Sequence, residues 1–259
     1  MSKLINLNSD LGESFGAWKI GGDDAMLTIV NSANVACGYH GGDPLVMLKT
    51  VELAKKNNVS IGAHPSFPDL QGFGRRRMDI PADELEAMLI YQIGALDACA
   101  RAQGARVTHV KPHGALSNIG SADRKVADAI ARAVHRLDST LILLAPAASQ
   151  MFLAGKEQGL PVVEEVFADR AYLDDGNLVP RSQPGAMIHG AEASLEHVKR
   201  MIDEQALVSI NGKRIPVNPQ SICVHGDNAE AIAVAKALRE GLEKAGHKMA
   251  TIPEILTAK

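Results

Sequence analysis

The chain has 259 residues, 46% hydrophobic and 22% charged, which is enough to bury a sizeable core. Its 27 Lys and Arg residues against 30 Asp and Glu residues give a net charge of −3, and only 3% of its residues are aromatic. This composition lacks the basic excess of nucleic-acid binders and the aromatic side chains that stack on bases. It also contains no apolar run near the roughly 18 residues of a membrane helix.

The beginning of the chain and its cysteines indicate a compartment. The first residues lack the apolar segment of a signal peptide. The three cysteines, Cys37, Cys99 and Cys223, include no C-x-x-C pair. Because such sparse cysteines are typical of reduced thiols, we expect a cytoplasmic protein without structural disulfides.

Seven short apolar runs along the chain predict strands, and amphipathic patterns between them predict helices. The strands are predicted at 4–7, 34–37, 59–63, 107–110, 141–144, 162–166 and 221–224. The helices are predicted at 44–56, 82–102, 123–136, 150–158, 193–204 and 228–245. Strands that alternate with helices indicate βα units and a mostly parallel sheet.

Such a sheet forms either a seven-stranded (β/α) barrel or an open, doubly wound layer. The chain has neither G-x-G-x-x-G after its first strand nor a P-loop motif, so it lacks a nucleotide-binding fingerprint of its own. This favours the α/β barrel, and we expect residues 1–259 to form one barrel domain. Within it, Asn211-Gly212 predicts a hairpin insertion at about 207–217, with a type I′ turn.

Polar residues collect where the predicted strands end, which is where β/α barrels place their chemistry. Four of the nine histidines precede glycine, a residue that lets the backbone turn sharply or approach a ligand closely. Three of these pairs, at His40, His113 and His225, follow predicted strands. We therefore expect a ring of imidazoles around a small polar pocket. The other polar residues at these ends include Asp10, Glu13, His64, Lys111 and Asp227.

The residue types at these positions suggest hydrolytic chemistry. Asp10, with a histidine such as His64 or His113, could activate water as a general base. Lys111 is suited to hold a carboxylate or phosphoryl group. Asp10, His40 and His64 are also metal-ligand types, but no H-E-x-x-H motif is present, so the sequence leaves a divalent metal undecided.

Further candidates lie in the loops. Arg75 and Arg76 follow the third predicted strand, and their guanidinium groups suit carboxylates or phosphates. We predict that they bind substrate together with Glu13, His40, His225 and Asp227. His225 and Asp227 would orient the substrate or donate a proton to it.

Seven segments of the chain, in the same order, closely resemble the LamB/YcsF family, the family of the A subunit of bacterial 5-oxoprolinase. The most distinctive are N-S-D-L-G-E at 8–13, A-N-V-A-C-G-Y-H-G-G-D-P at 33–44 and V-K-P-H-G-A-L at 110–116. The other four lie at 62–65, 72–76, 165–170 and 223–227. The resemblance covers nearly the whole chain.

The resemblance implies a distorted TIM-like barrel similar to that of polysaccharide deacetylases. It also implies a hydrolase that opens the cyclic amide of 5-oxoproline to L-glutamate, with ATP and partner subunits B and C. Because this chain has no phosphate-binding loop, the partners would activate the lactam by phosphorylation and this chain would hydrolyse it. Two alternatives remain: a metal-dependent deacetylase or amidohydrolase acting on amide-bearing sugars, and a non-catalytic substrate-binding subunit.

Overall fold

Parallel strands close into a barrel in the computed structural model, which describes residues 3–225 and 229–258. The strands are β1 Leu4–Leu11, β2 Ser32–Ala36, β3 Ser60–His64, β4 Val107–Val110, β5 Ile142–Pro146, β6 Val162–Phe167, β7 Ala206–Val208, β8 Arg214–Pro216, β9 Ser221–Cys223 and β10 Lys248–Met249. Seven of them pair in the order β1-β2-β3-β4-β5-β6-β9, and β9 pairs again with β1, every pair being parallel. This closure confirms the predicted seven-stranded barrel.

Helices cover the outside of the barrel. Two of them, α2 (Pro44–Lys56) and α3 (Ala82–Ala102), begin and end at the predicted residues, because a clear apolar stripe marks each one. Among the described residues, no helix combines the length and the apolar character that a membrane crossing needs. The helices are α1 Asp23–Met26, α2 Pro44–Lys56, α3 Ala82–Ala102, α4 Gly114–Ala122, α5 Arg124–Leu137, α6 Gln150–Glu157, α7 Ala191–Glu204, α8 Ala229–Lys244 and α9 Ile252–Thr257.

Hydrogen-bonded polar side chains fill the barrel interior. Asn6 donates to Ser32 Oγ at 2.8 Å and accepts from Ser221 Oγ at 2.7 Å, which links β1 to both of its neighbours. Ile5 and Leu7, the residues on either side of Asn6, are fully buried in the apolar core. Strand alternation therefore sends Ile5 and Leu7 to the core and Asn6 to the barrel axis.

A histidine above a glycine occupies the middle of the barrel. His109 Nε2 donates to Asn34 Oδ1 at 3.0 Å, reaching from β4 to β2 across β3. The strand between them carries Gly62, where a Cβ atom would lie 2.1 Å from His109 Nε2. Burial lowers the pKa of His109 to about 3, so the ring is neutral near pH 7. Gly62 is thus the residue that leaves room for this contact.

An antiparallel pair, β7 and β8, overlaps the segment where the sequence predicts a hairpin. Its turn differs from the prediction. Gly212 has a φ of +82°, whereas Asn211 is not in the left-handed region, so the turn is not type I′. Gly212 N donates to Ser209 O, and Ser209 N donates to Lys213 O, both at 2.9 Å. These bonds describe a type I turn closed by a left-handed glycine.

Candidate active site

A cavity of about 540 Å³ opens at the carboxyl end of the barrel. Its wall brings together residues that lie far apart in the chain and that the sequence predicts as catalytic or substrate-binding. This is the volume of a small-molecule site. The predicted residues in the wall are Asp10, Glu13, His64, Arg75, Lys111, His113 and His225.

The Lys111 side chain, 3% exposed, joins two carboxylates. Its Nζ lies 3.0 Å from Asp10 Oδ1 and 2.8 Å from Glu165 Oε1. Burial by itself lowers the pKa of Lys111, but Asp10, Cys223 and Glu165 outweigh it and hold the pKa well above its usual value. Lys111 is therefore a fixed positive charge at the cavity wall.

Asp10 is the matching fixed negative charge. Burial raises the pKa of its carboxyl group, but His64 and Lys111 together hold it well below its usual value. Asn34 Nδ2 also donates to Asp10 Oδ1 at 2.8 Å. The second oxygen, Oδ2, lies 3.3 Å from His64 Nε2. One carboxylate oxygen is thus anchored in the barrel, while the other faces an imidazole.

One ring nitrogen of His64 faces one ring nitrogen of His113. His64 Nδ1 donates to Lys111 O at 2.6 Å, and His113 Nε2 donates to Phe73 O at 2.8 Å. Carbonyl oxygens only accept, so the N–H of each ring is assigned by these contacts. The remaining nitrogens, His64 Nε2 and His113 Nδ1, lie 3.0 Å apart. Two lone pairs at this distance require a cation between them, either a proton or a metal ion.

Glu13 and His40 both contact this pair. His40 Nε2 lies 3.0 Å from Glu13 Oε1, and the His40 ring stacks on His113 with centroids 3.7 Å apart. His40 is 1% exposed and is not part of the cavity wall. The structure therefore places this predicted substrate-binding residue behind His113, because the stacked ring separates it from the cavity.

Four of these side chains could hold a metal ion. The ligand atoms of Glu13, His40, His64 and His113 all lie within 4.8 Å of one another. Imidazole and carboxylate ligands suit Zn²⁺ and related ions, and ligating histidines usually donate their other N–H to a carbonyl or carboxylate, as two do here. The cluster shares His40 and His64 with the metal set predicted from the sequence. Asp10 lies instead in a second group with Cys223 and His225.

The two arginines predicted to bind substrate lie in different surroundings. Arg75 is exposed but lines the cavity, with its guanidinium 5.1 Å from the Phe73 ring centroid. Arg76 donates from Nε to Asp69 Oδ1 at 2.9 Å and does not line the cavity. The substrate-binding role predicted for Arg76 therefore lacks support in the structure, because Asp69 holds its guanidinium elsewhere.

His225, which follows β9, forms an ion pair with a carboxylate that follows the neighbouring strand β6. Its Nδ1 lies 2.8 Å from Asp169 Oδ2. Burial lowers the pKa of His225, and the Asp169 carboxylate outweighs this, so the pKa lies above its usual value. Predicted residue Asp227 lies outside the described residues.

Two charged residues of this site were not among the site residues predicted from the sequence. Glu165 is 1% exposed and balances Lys111, and Arg170 is 7% exposed and lines the cavity. Both belong to the predicted sixth strand and its end, in segment 165–170 of the family resemblance. Their position at a strand end was the available signal.

A model of the LamB/YcsF family matches residues 5–257. This chain belongs to the LamB/YcsF family. Among LamB/YcsF relatives, the chain is 53% identical over 251 residues to the 5-oxoprolinase A subunit of Azoarcus sp. (strain BH72), covering 97% of this chain and 98% of the relative. A crystal structure of a lactam utilization protein from Thermus thermophilus is 43% identical, with a TM-score of 0.90, covering 96% of this chain and all of that one.

The LamB/YcsF barrel also resembles a deacetylase fold. The catalytic domain of peptidoglycan N-acetylglucosamine deacetylase from Eubacterium rectale aligns with a TM-score of 0.51, covering 97% of this chain and 89% of that one. At 10% identity this likeness concerns the fold alone. It agrees with the predicted distorted TIM-like barrel.

Proposed function

We propose that this chain is the A component of an ATP-dependent 5-oxoprolinase and that its cavity hydrolyses the lactam of 5-oxoproline to L-glutamate. The similarity to relatives with that name supports the substrate. The observation that carries the chemistry is the Asp10–Lys111 ion pair beside His64 and His113 in the cavity wall. It places a fixed cation, a carboxylate and imidazole nitrogens around one small-molecule site.

Opening a lactam adds one water molecule across the C–N bond. Water loses a proton as its oxygen bonds to the carbonyl carbon, and the ring nitrogen gains a proton as the C–N bond breaks. Burial and the nearby His40 and His64 hold the pKa of His113 well below its usual value, so its imidazole is neutral near pH 7. Asp10 would take the proton from water, and Lys111 would stabilise negative charge on the lactam oxygen and on the phosphoryl group bound to it.

The ATP step belongs to the partners in this proposal. The chain has no P-loop motif, and an unstrained amide hydrolyses slowly at neutral pH. Subunits B and C would therefore bind ATP and transfer its terminal phosphoryl group to the lactam oxygen, with release of ADP. In the cavity of this chain, water would add to the activated carbon, the C–N bond would break as the nitrogen gains a proton, and a second water would release phosphate to leave L-glutamate. The complex would act on a small molecule in the cytoplasm, without nucleic acid or membrane.

The buried cluster of Glu13, His40, His64 and His113 is proposed to hold one divalent ion. Such an ion acts as a Lewis acid when bound. The chain itself orients the ligands, because carbonyl oxygens fix two of the imidazoles and His40 stacks on His113. Glu13 supplies a carboxylate between two rings.

Reconstitution tests this function. Glutamate release from 5-oxoproline is measured with subunits B and C of the same host, with and without this chain, and with the chain alone, each with and without ATP. We expect turnover only when all three subunits and ATP are present. Activity of the chain alone without ATP would contradict the proposal and favour a metal-dependent amidohydrolase or deacetylase. Full turnover without this chain would show that the chain is not required for catalysis and has at most an accessory role.

A further inference from the structure

Arg170 is a buried cation in the cavity wall. It follows β6, is 7% exposed, and donates from Nη2 to Val179 O at 2.6 Å. Its Nε is also buried and has no hydrogen-bond partner within the described part of the chain. Guanidinium Nε always carries a hydrogen, so this donor points to an acceptor that the chain itself does not supply.

The charge of Arg170 is also unbalanced by direct contact. Lys111 has two carboxylates at ion-pair distance, and Arg76 has Asp69. Over residues 3–225 and 229–258, no carboxylate lies within 4.0 Å of the Arg170 guanidinium. A buried charge without a partner is costly, and an anionic ligand would supply the missing counter-charge.

The neighbouring residues give this part of the wall a positive character. Arg181 lines the same cavity and carries a like charge, and after burial it is the largest influence that lowers the pKa of Arg170. Asp10, Glu165 and Lys111 form a separate group in which two carboxylates share one ammonium group. The cavity therefore has a reactive group whose cation is already paired and, beside Arg170, an unmatched cation suited to an anion.

We propose that Arg170 binds the substrate carboxylate, so that the cavity selects lactams that carry a carboxylate over neutral lactams. This inference rests on the proposed function and deepens it. 5-Oxoproline bears its carboxylate on the carbon next to the ring nitrogen, whereas 2-pyrrolidinone is the same ring without it. A guanidinium fork with an unused Nε–H matches a carboxylate, which accepts two parallel hydrogen bonds. Binding of the substrate carboxylate, for which the sequence offered Arg75 and Arg76, is thus assigned to the buried Arg170.

The test compares binding of 5-oxoproline and 2-pyrrolidinone to the full chain by calorimetry, for the wild type and for Arg170→Gln. A hydrogen bond to a charged group contributes about 1.5–3 kcal/mol, which is roughly 10- to 100-fold in affinity. We expect Arg170→Gln to weaken 5-oxoproline binding by about that factor and to leave 2-pyrrolidinone binding unchanged. In the reconstituted complex, the preference for 5-oxoproline over 2-pyrrolidinone should fall by the same factor.

Arg170 also holds Val179, so the variants need a stability control. Arg170→Lys keeps the charge and the buried stem but loses the fork, and we expect an intermediate loss of 5-oxoproline affinity at an unchanged melting temperature. Arg77→Gln, an exposed arginine outside the cavity wall, should bind both lactams as the wild type does. These two variants separate a lost ligand contact from a damaged loop.

Three results would overturn the inference. One is a folded Arg170→Gln chain with wild-type affinity for 5-oxoproline. Another is an equal loss of affinity for both lactams, which would make Arg170 structural. The third is a wild-type chain with no preference for the carboxylate. Failure of the proposed function looks different: the wild-type complex would release no glutamate, even if the chain binds the carboxylate through Arg170.

Discussion

Lys111 Nζ and Asp10 Oδ1 lie 3.0 Å apart although Asp10 is on β1 and Lys111 directly follows β4, two strands that are separated in the barrel by β2 and β3. The contact crosses the barrel interior, and Glu165 on β6 meets the same ammonium group at 2.8 Å. Three strands therefore position one ion-pair network at the cavity. The geometry of the site therefore depends on contacts between residues of strands that are not neighbours.

Replacing Asp10 with Asn tests its catalytic role. The amide keeps the shape of the carboxylate but removes its charge and its capacity as a base, while Lys111 retains Glu165. We expect the kcat of the reconstituted complex to fall by about 100-fold or more. The measurement is ATP-dependent glutamate release, with Asp79→Asn, an exposed carboxylate outside the cavity wall, as the control. A raised KM at an unchanged kcat would instead identify a non-catalytic binding subunit.

Replacing Lys111 with Met tests the balance of buried charge. The change leaves Asp10 and Glu165 without their shared cation in a buried site, and breaking such a pair typically costs about 3–5 kcal/mol. We expect a loss of that order in the free energy of unfolding, measured by urea denaturation at pH 7. Because the added change Glu165→Gln removes one stranded carboxylate, the double variant should recover part of the loss. Additive losses would mean that the two residues are not coupled.

The elements that sequence could predict are those with a strong local pattern. The stripe of α3 and the capping Asp43 before α2 locate both helices to the residue. The prediction missed α4, whose sequence G-A-L-S-N-I-G-S-A contains two glycines and two serines of low helix propensity. This helix begins at Gly114, which adopts a left-handed φ of +55° and packs against Gly74 O. Such tertiary contacts are invisible in a local pattern.

The same limit applies to the site. The rule that barrel chemistry follows the strands locates Asp10, His64, Lys111 and His113 in one cavity. The rule does not say which side chains reach the cavity surface. It therefore could not distinguish His40, which the His113 ring separates from the cavity, from a residue of the cavity wall. Nor does it say which arginine is already paired, because that depends on a loop contact with Asp69.

The facing nitrogens of His64 and His113 make metal binding testable. We expect chain treated with a chelator to take up one Zn²⁺ or Co²⁺ per molecule, measured by elemental analysis and by the visible absorption of Co²⁺. His113→Asn should abolish the tight site, whereas His135→Gln on α5 should not. Equal, weak uptake by the wild type and His113→Asn would show that the two rings share a proton instead.

Acid stability should depend on His109. Its folded pKa of about 3 lies below the ordinary value of 6.5, so below pH 6.5 the unfolded chain binds a proton that the folded chain does not. Stability from this residue is therefore present above pH 6.5 and falls by about 1.4 kcal/mol per pH unit down to about pH 3, where the loss levels off. His109→Gln removes this titration, so the free energy of unfolding of the wild type should fall more steeply with acid than that of the variant. Denaturant titrations at pH 7, 6, 5 and 4, with His135→Gln as the matched control, measure the difference. Parallel profiles for the wild type and His109→Gln would mean that the His109 ring is protonated as readily in the folded barrel as in the unfolded chain.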